Sequence, residues 1–275
     1  MKKTLTTILL ILLSIGAKAQ VITHVDTLVC SVIGFRVGVL APSNRFSYTQ
    51  TPDGDKSAIG TMSDLYKAPY ISFGVDYKYK FLSNWLLFAN GDVFFGNDNL
   101  TQRTDRMGIW SSDPTPIIIG TNGTDATVTC YNRGVQFQAG VGKIFAFSEK
   151  NPNSGLMAKA GGGWMQDMTV FMLNEVHAPQ LEGDYARLYD HQRRGFLLSE
   201  SIGYIFMSNH RNLMNASIEF EVSQYWSRST RDYMIDHVMG LQGPDNNRYF
   251  DLLYTLRVTW MFPLTGRPTY DYFYY

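Results

Sequence analysis

Cysteine is nearly absent from this chain of 275 residues, with Cys30 and Cys130 the whole complement, and so is net charge, with 24 Lys and Arg against 24 Asp and Glu. The balance leaves no basic footprint, which excludes nucleic acid as a partner. After Gln20 no run of about 18 apolar residues occurs, so no spanning helix is available. No histidine pattern has a recognised ligand spacing such as His-x-x-x-His, and neither metal nor cofactor is expected. Aromatic and small residues are plentiful instead: 17 Tyr, 17 Phe and 24 Gly. That composition suits strands alternating aromatic with small or polar side chains.

The N-terminus reads as an export signal. Lys2 and Lys3 precede an apolar stretch around Ile8 to Ile15, and Ala17-Lys18-Ala19 has the small-x-small form of a cleavage site. Residues 1–19 are therefore expected to be a signal peptide, with Gln20 as the mature start, and 20–30 a periplasmic lead-in. No cysteine stands at the cut, which argues against a lipid-modified terminus.

Period-two alternation recurs in eight segments: Ser31 to Ala41, Tyr70 to Phe81, Trp85 to Phe95, Gly134 to Phe147, Leu156 to Gln166, Gly195 to Phe206, Asn215 to Trp226 and Tyr249 to Leu264. In the second, Ile71, Phe73, Val75, Tyr77 and Tyr79 oppose Ser72, Gly74, Asp76, Lys78 and Lys80. Each segment is long enough to cross a bilayer as a tilted strand of about 9 to 11 residues. Connections alternate too. Leu82 to Asn84, Ser148 to Gly155 and Ser208 to Asn212 are short; the others run to roughly 20 to 40 residues against hairpin norms of about 2 to 5. Short turns at one end and long loops at the other describe a transmembrane barrel over 31–264. The same layout sets Cys30 and Cys130 at opposite ends, beyond disulfide reach. Asn122-Gly123, between two β-prone runs of the second long loop, is a type I′ turn signal, and the third and fourth strands are expected to extend outward with it.

The interior of an eight-stranded barrel barely holds its own side chains, so the many aromatics must face outward into lipid. Phe81, Trp85, Phe145, Phe147, Phe206, Trp260 and Phe262 are expected as a girdle at the short-turn interface, and Phe95, Trp164, Tyr225, Trp226 and Tyr249 as the opposite one. The inward set then contains Arg36, Lys78, Lys80, Lys159 and Arg257 with Asp76, Asp92, Glu219 and Glu221. In the sixth segment parity is ambiguous; Glu200 is placed inward with them, or shifted by a bulge, because a carboxylate in lipid destabilises. Lys143 faces outward near the short-turn interface, where it can snorkel. A matched belt is either a salt-bridged core that plugs the lumen or an ion path, and eight strands leave little free lumen.

The pattern resembles the small eight-stranded outer-membrane proteins of the OmpA and OmpX kind. The resemblance is architectural and spans the mature chain: eight strands, sorted loops, charged interior and aromatic girdles. It implies an all-β antiparallel barrel in the Gram-negative outer membrane, surface roles from adhesion to tethering, and no catalytic residues. The tail departs from it. Pro263, Gly266 and Pro268 end the last strand, and Tyr270, Tyr272, Phe273, Tyr274 and Tyr275 follow in an aromatic periplasmic segment, 265–275.

Phe206 to Asn212 resembles the His-x-Ser-Asn element of lipid A deacylases, but the required His would fall at Phe206, and the segment sits in a periplasmic turn. The third long loop gathers His177, Glu182, Asp184, Tyr185, Tyr189 and His191, read as a partner-binding surface. The expectation is a non-enzymatic barrel that binds or anchors through its loops, whose partners are outer-membrane lipid, the barrel-assembly machinery and an extracellular or periplasmic protein. The alternative is a narrow channel, or an enzyme using the lumen or third loop.

Overall fold

The computed structural model describes residues 29–43, 45–50, 53–54, 56–57, 62, 69–98, 120–124, 126–148, 151–174, 177–179, 182–183, 192–207, 215–230 and 247–264. The expected signal peptide and aromatic tail lie outside these, as do Asp184, Tyr185, Tyr189 and His191.

Alternating apolar and polar residues match the pleat of a strand, whose successive side chains point to opposite faces. The described strands are β1 (Cys30–Pro42), β2 (Tyr48–Gln50), β3 (Lys56–Ser57), β4 (Tyr70–Lys80), β5 (Trp85–Asp98), β6 (Thr127–Ala146), β7 (Gly155–Asn174), β8 (Arg193–Phe206), β9 (Asn215–Ser229) and β10 (Arg248–Pro263). The eight long strands pair antiparallel in sequence order, and β1 pairs with β10 to close the ring. Short β2 re-pairs with β10 beyond the end of β1, and β3 flanks β2. Closure leaves the ring no free edge, so every long strand satisfies its backbone from both sides.

Register partners traced once round the ring, from Phe250 through Trp226, Phe196, Trp164, Phe137, Gly91, Val75 and Phe35, return to β10 at Trp260, ten residues further on (260 − 250). A stagger of ten over eight strands tilts them by about 40°.

The outer surface is apolar around the ring: Phe35, Phe73, Leu87, Phe137, Ile202, Phe220 and Leu256 are all exposed there. Lys143 snorkels from this surface to the first short turn, donating from Nζ to the Ser83 carbonyl at 2.7 Å with Trp85 beside it. In that turn Asn84 takes a φ of 60°, a left-handed conformation that Asn tolerates.

Three features depart from the sequence reading. Strands β6 and β7 pair as far as Thr127 with Asn174, so the extension of the fourth strand is shared by the fifth, while β5 is described as far as Asp98 opposite Cys130. The Asn122-Gly123 turn is not type I′, which needs positive φ at both residues. Only Gly123 has it, at 77°; Gly123 donates to the Gly120 carbonyl at 3.0 Å, and Gly120 to that of Thr124 at 2.9 Å. The result is a three-residue loop with the glycine in the bulge position, and Asn122 is used as an acceptor for Thr124 N at 3.1 Å. The third departure is the facing of β8. Leu197, Ser199 and Ile205 point inward and are buried, while Glu200 is exposed to lipid with Phe196, Leu198, Ile202, Tyr204 and Phe206. Burying five large apolar side chains in a narrow lumen would cost more than exposing one carboxylate, so the strand takes the parity that the Glu200 argument disfavoured.

Candidate functional site: the barrel interior

The inward side chains form layers. At the short-turn end Val32, Leu86, Ile144, Met157, Ile205, Met207 and Met261 make an apolar plug. Its rim is polar: Lys80 Nζ donates to Asn153 at 3.0 Å, and Asn151 and Ser154 both donate to the Met207 carbonyl.

Above the plug lies the charged layer. Arg36, Lys78, Lys159 and Arg257 oppose Asp76, Asp92, Glu219 and Glu221, all buried. Four cations and four anions cancel. Arg36 lies 3.9 Å from Asp76 and 3.6 Å from Asp92, and Arg257 lies 3.5 Å from Asp92 and also meets Glu221. Lys78 bridges Asp76 and Glu219, the second at 3.3 Å, and Lys159 also reaches Glu219. Neutral groups add hydrogen bonds: Gln136 donates to Asp92 at 2.8 Å and Gln138 to Glu221 at 3.1 Å, while Ser217 and Ser223 serve Glu219 and Glu221. Among the described residues the guanidinium nitrogens of Arg36 and both amide atoms of Asn90 have no hydrogen-bond partner, so the layer keeps polar capacity that water can satisfy.

Several pairs run across the lumen. Lys78 on β4 and Lys159 on β7 converge on Glu219 of β9, and Arg257 of β10 reaches Asp92 of β5. Phe88 is also in this layer, its ring under Lys159 Nζ at 4.6 Å. Its space comes from facing glycines: a Cβ on Gly140 or Gly161 would sit 2.9 or 2.7 Å from that ring.

A second apolar layer closes the belt from above: Leu40, Met62, Tyr70, Phe94, Met165, Leu197, Tyr225 and Leu253. Met62 comes from the first long loop and is fully buried. Its backbone N donates to Asp251 at 2.8 Å. Beside it Arg193 binds Asp167 at 2.7 Å and Asp251 at 3.3 Å, and the Tyr225 hydroxyl donates to Asp167 at 3.0 Å.

Of the inward charges read from the sequence, all but Lys80 and Glu200 lie in the charged layer; Lys80 is at the rim of the plug, and Glu200 is on the outer surface. Of those read as girdle, Phe81, Trp85, Phe147, Trp164, Trp226, Trp260 and Phe262 are exposed on the outer surface and Phe145 is half-buried. Tyr225 is a correction: it is buried in the upper apolar layer, because adjacent residues of a strand cannot share a face and Trp226 takes the outer one. Tyr249 is likewise inside, with Arg193 over its ring at 4.8 Å. The cluster of Arg193, Asp167 and Asp251 was missed, since the sixth segment was begun at Gly195 and the fifth ended at Gln166. Asp251 was legible, sharing the parity of Thr255 and Arg257. In the third loop His177 Nδ1 and Glu182 Oε1 stand 3.0 Å apart at the surface, and Thr121 N of the second loop donates to the His177 carbonyl at 2.9 Å.

A closed antiparallel ring, apolar outside and polar at its centre, with aromatics towards both rims, defines an outer-membrane β-barrel of eight strands. Neither a protein-family model nor a curated protein matches the chain. Similar solved structures include Ail, the attachment invasion locus protein of Yersinia pestis, with the heparin analogue sucrose octasulfate: identity 12%, TM-score 0.39, covering 85% of this chain and 99% of that one. Neisserial surface protein A is another, at 7% identity and TM-score 0.30, covering 83% and 96%. The toluene transporter TodX of P. putida gives 8%, 0.20, 86% and 91%.

Proposed function

We propose that this outer-membrane barrel is a non-catalytic surface-binding or complex-anchoring protein whose lumen is a structural core. The observation that carries the reading is the order of the interior layers. The charged belt lies between two apolar layers, and Met62 of the first loop is packed into the upper one. An ion moving through would leave hydrogen-bonding partners for hydrocarbon on both sides of the belt, which is expensive for any charge. Binding then falls to the loops, where the second and third are joined through Thr121 and His177. An extracellular or periplasmic protein is the expected partner.

Two measurements test this. In planar bilayers the purified protein should give no discrete conductance steps, and photo-crosslinkers at Thr121 or Glu182 on whole cells should capture a defined protein. Steady single-channel openings abolished by Glu219→Gln would favour the channel reading instead.

A further inference from the structure

On the outer face of the barrel three arginines stand in line. Arg194 on β8 is the register partner of Arg228 on β9, and Arg228 is that of Arg248 on β10. Gln50 of β2 and Lys56 of β3 continue the row. All four cations are exposed. Like charges set directly opposite across strands repel, so the bare barrel gains nothing from this alignment.

Two residues further along each strand lies an aromatic shelf. Phe196 and Trp226 have ring centroids 6.1 Å apart, Trp226 and Phe250 5.5 Å, and Phe250 and Tyr48 5.1 Å. Such aromatics mark the boundary between hydrocarbon and headgroups, and two residues of strand put the arginines about 6 to 7 Å beyond it. That is headgroup depth in the outer leaflet. A pocket of about 490 Å³ opens there, lined by Arg194, Arg228, Arg248, Trp226, Ser229 and Thr230.

We infer that this row is a binding site for the phosphate groups of an outer-leaflet glycolipid, with its acyl chains resting on the aromatic shelf. Guanidinium groups form bidentate, charge-assisted hydrogen bonds to phosphate, and three adjacent strands spread them over about 10 Å, wide enough for more than one phosphate. Anions between the arginines convert the mutual repulsion into attraction. The depth of the row favours lipid over a soluble protein, which would meet the loops first.

The test uses the full chain in phosphatidylcholine nanodiscs, alone, with bisphosphorylated lipid A, or with the same lipid A stripped of phosphate. Melting is followed by heat-modifiable gel migration, and lipid retention by native mass spectrometry. The phosphorylated lipid alone should raise the melting temperature by several degrees. The combined Arg194→Gln, Arg228→Gln, Arg248→Gln variant should lose that rise and retain about ten-fold less lipid or lower, while in pure phosphatidylcholine it should melt no lower than wild type. If this variant does not fold, single Arg228→Gln must show the same losses in part. An equal shift from the dephosphorylated lipid, or an undiminished shift in the variants, would overturn the site. Millimolar inorganic phosphate reproducing the full shift would assign the row to free phosphate and overturn the lipid.

Discussion

Arg257 sits where three strands depend on it, between Glu221 of the neighbouring β9 and Asp92 across the lumen. Truncating it takes the cation from buried Glu221 and one of two from Asp92, which keeps Arg36, and breaking a buried pair typically costs about 3 to 5 kcal/mol. Arg45, exposed in the first loop beside the Phe46 ring, should cost about 0 to 1 kcal/mol. Arg257→Ala should therefore melt well below Arg45→Ala by gel migration; equal melting would sink the structural role of the belt. Glu200 presents the opposite case. It is exposed midway along β8, between Ala160 and Val222 on the adjacent strands, and a lipid-facing carboxylate destabilises, though by less than the roughly 2 to 4 kcal/mol of a basic residue at the midplane. Glu200→Leu should raise the melting temperature, and a lowered one would indicate that Glu200 has a partner. At this scale the sequence was legible wherever one parity held all the charges, as for Arg36, Asp76 and Glu219. It failed at Glu200, where one ionisable residue was weighed above Phe196, Leu198, Ile202 and Tyr204, and at Tyr225, where residue type was weighed above parity.

Strands and turns were easier to read than facings, because alternation is a backbone property repeated over ten or more residues. The starts of β4, β5 and β9 fall at Tyr70, Trp85 and Asn215, as the periodicity had them. The outward extension of β6 and β7 was less legible: beyond Gly134 and Gln166 the inward face is buried at Asn132, Asp167 and Thr169, but the outward one mixes Arg133 and Tyr131 with Met168 and Val170, and the alternation blurs. Invisible to any periodicity was the reason for the glycines in β6 and β7. Gly161 faces Gly140 across the pair, and the ring of Phe88 fills the space they leave. Gly161→Leu should displace that ring into Lys159 and disturb the Lys159–Glu219 pair. The expected outcome is a loss of the heat-modifiable band or a melting temperature several degrees lower; unchanged melting would mean that Phe88 has room to turn aside.

For the whole molecule the informative signal was the sorting of connections, since only a membrane gives a barrel two different ends. The long loops holding Asp53, Thr121 and Glu182 should face outside, and the turns holding Ser83 and Asn151 the periplasm. Single cysteines at these positions, treated on intact cells with an impermeant maleimide, should label in the loops and stay silent in the turns. The reverse pattern would invert the orientation. The charged belt was legible, but the apolar layers on either side of it were not, because their make-up depends on the stagger of ten, which only the register reveals. That stagger decides which inward residues share a height, and so gathers the charges between the two apolar layers.

The ties that cross the lumen also have an order in time. Lys78 to Glu219 and Arg257 to Asp92 join strands far apart along the chain, so a partly assembled sheet cannot form them. Until β10 meets β1 the charges face an open, wet trough, paired only locally as Lys78 is with Asp76 and Arg257 with Glu221, and the cross-lumen pairs belong to the closing of the seam, when the walls come together and most of the water leaves. The reverse path is correspondingly steep: opening the seam must break the cross-lumen pairs together and expose their charges to water. A barrel built in this way resists unfolding through its rate as well as its equilibrium, a useful property for a protein in a membrane without ATP.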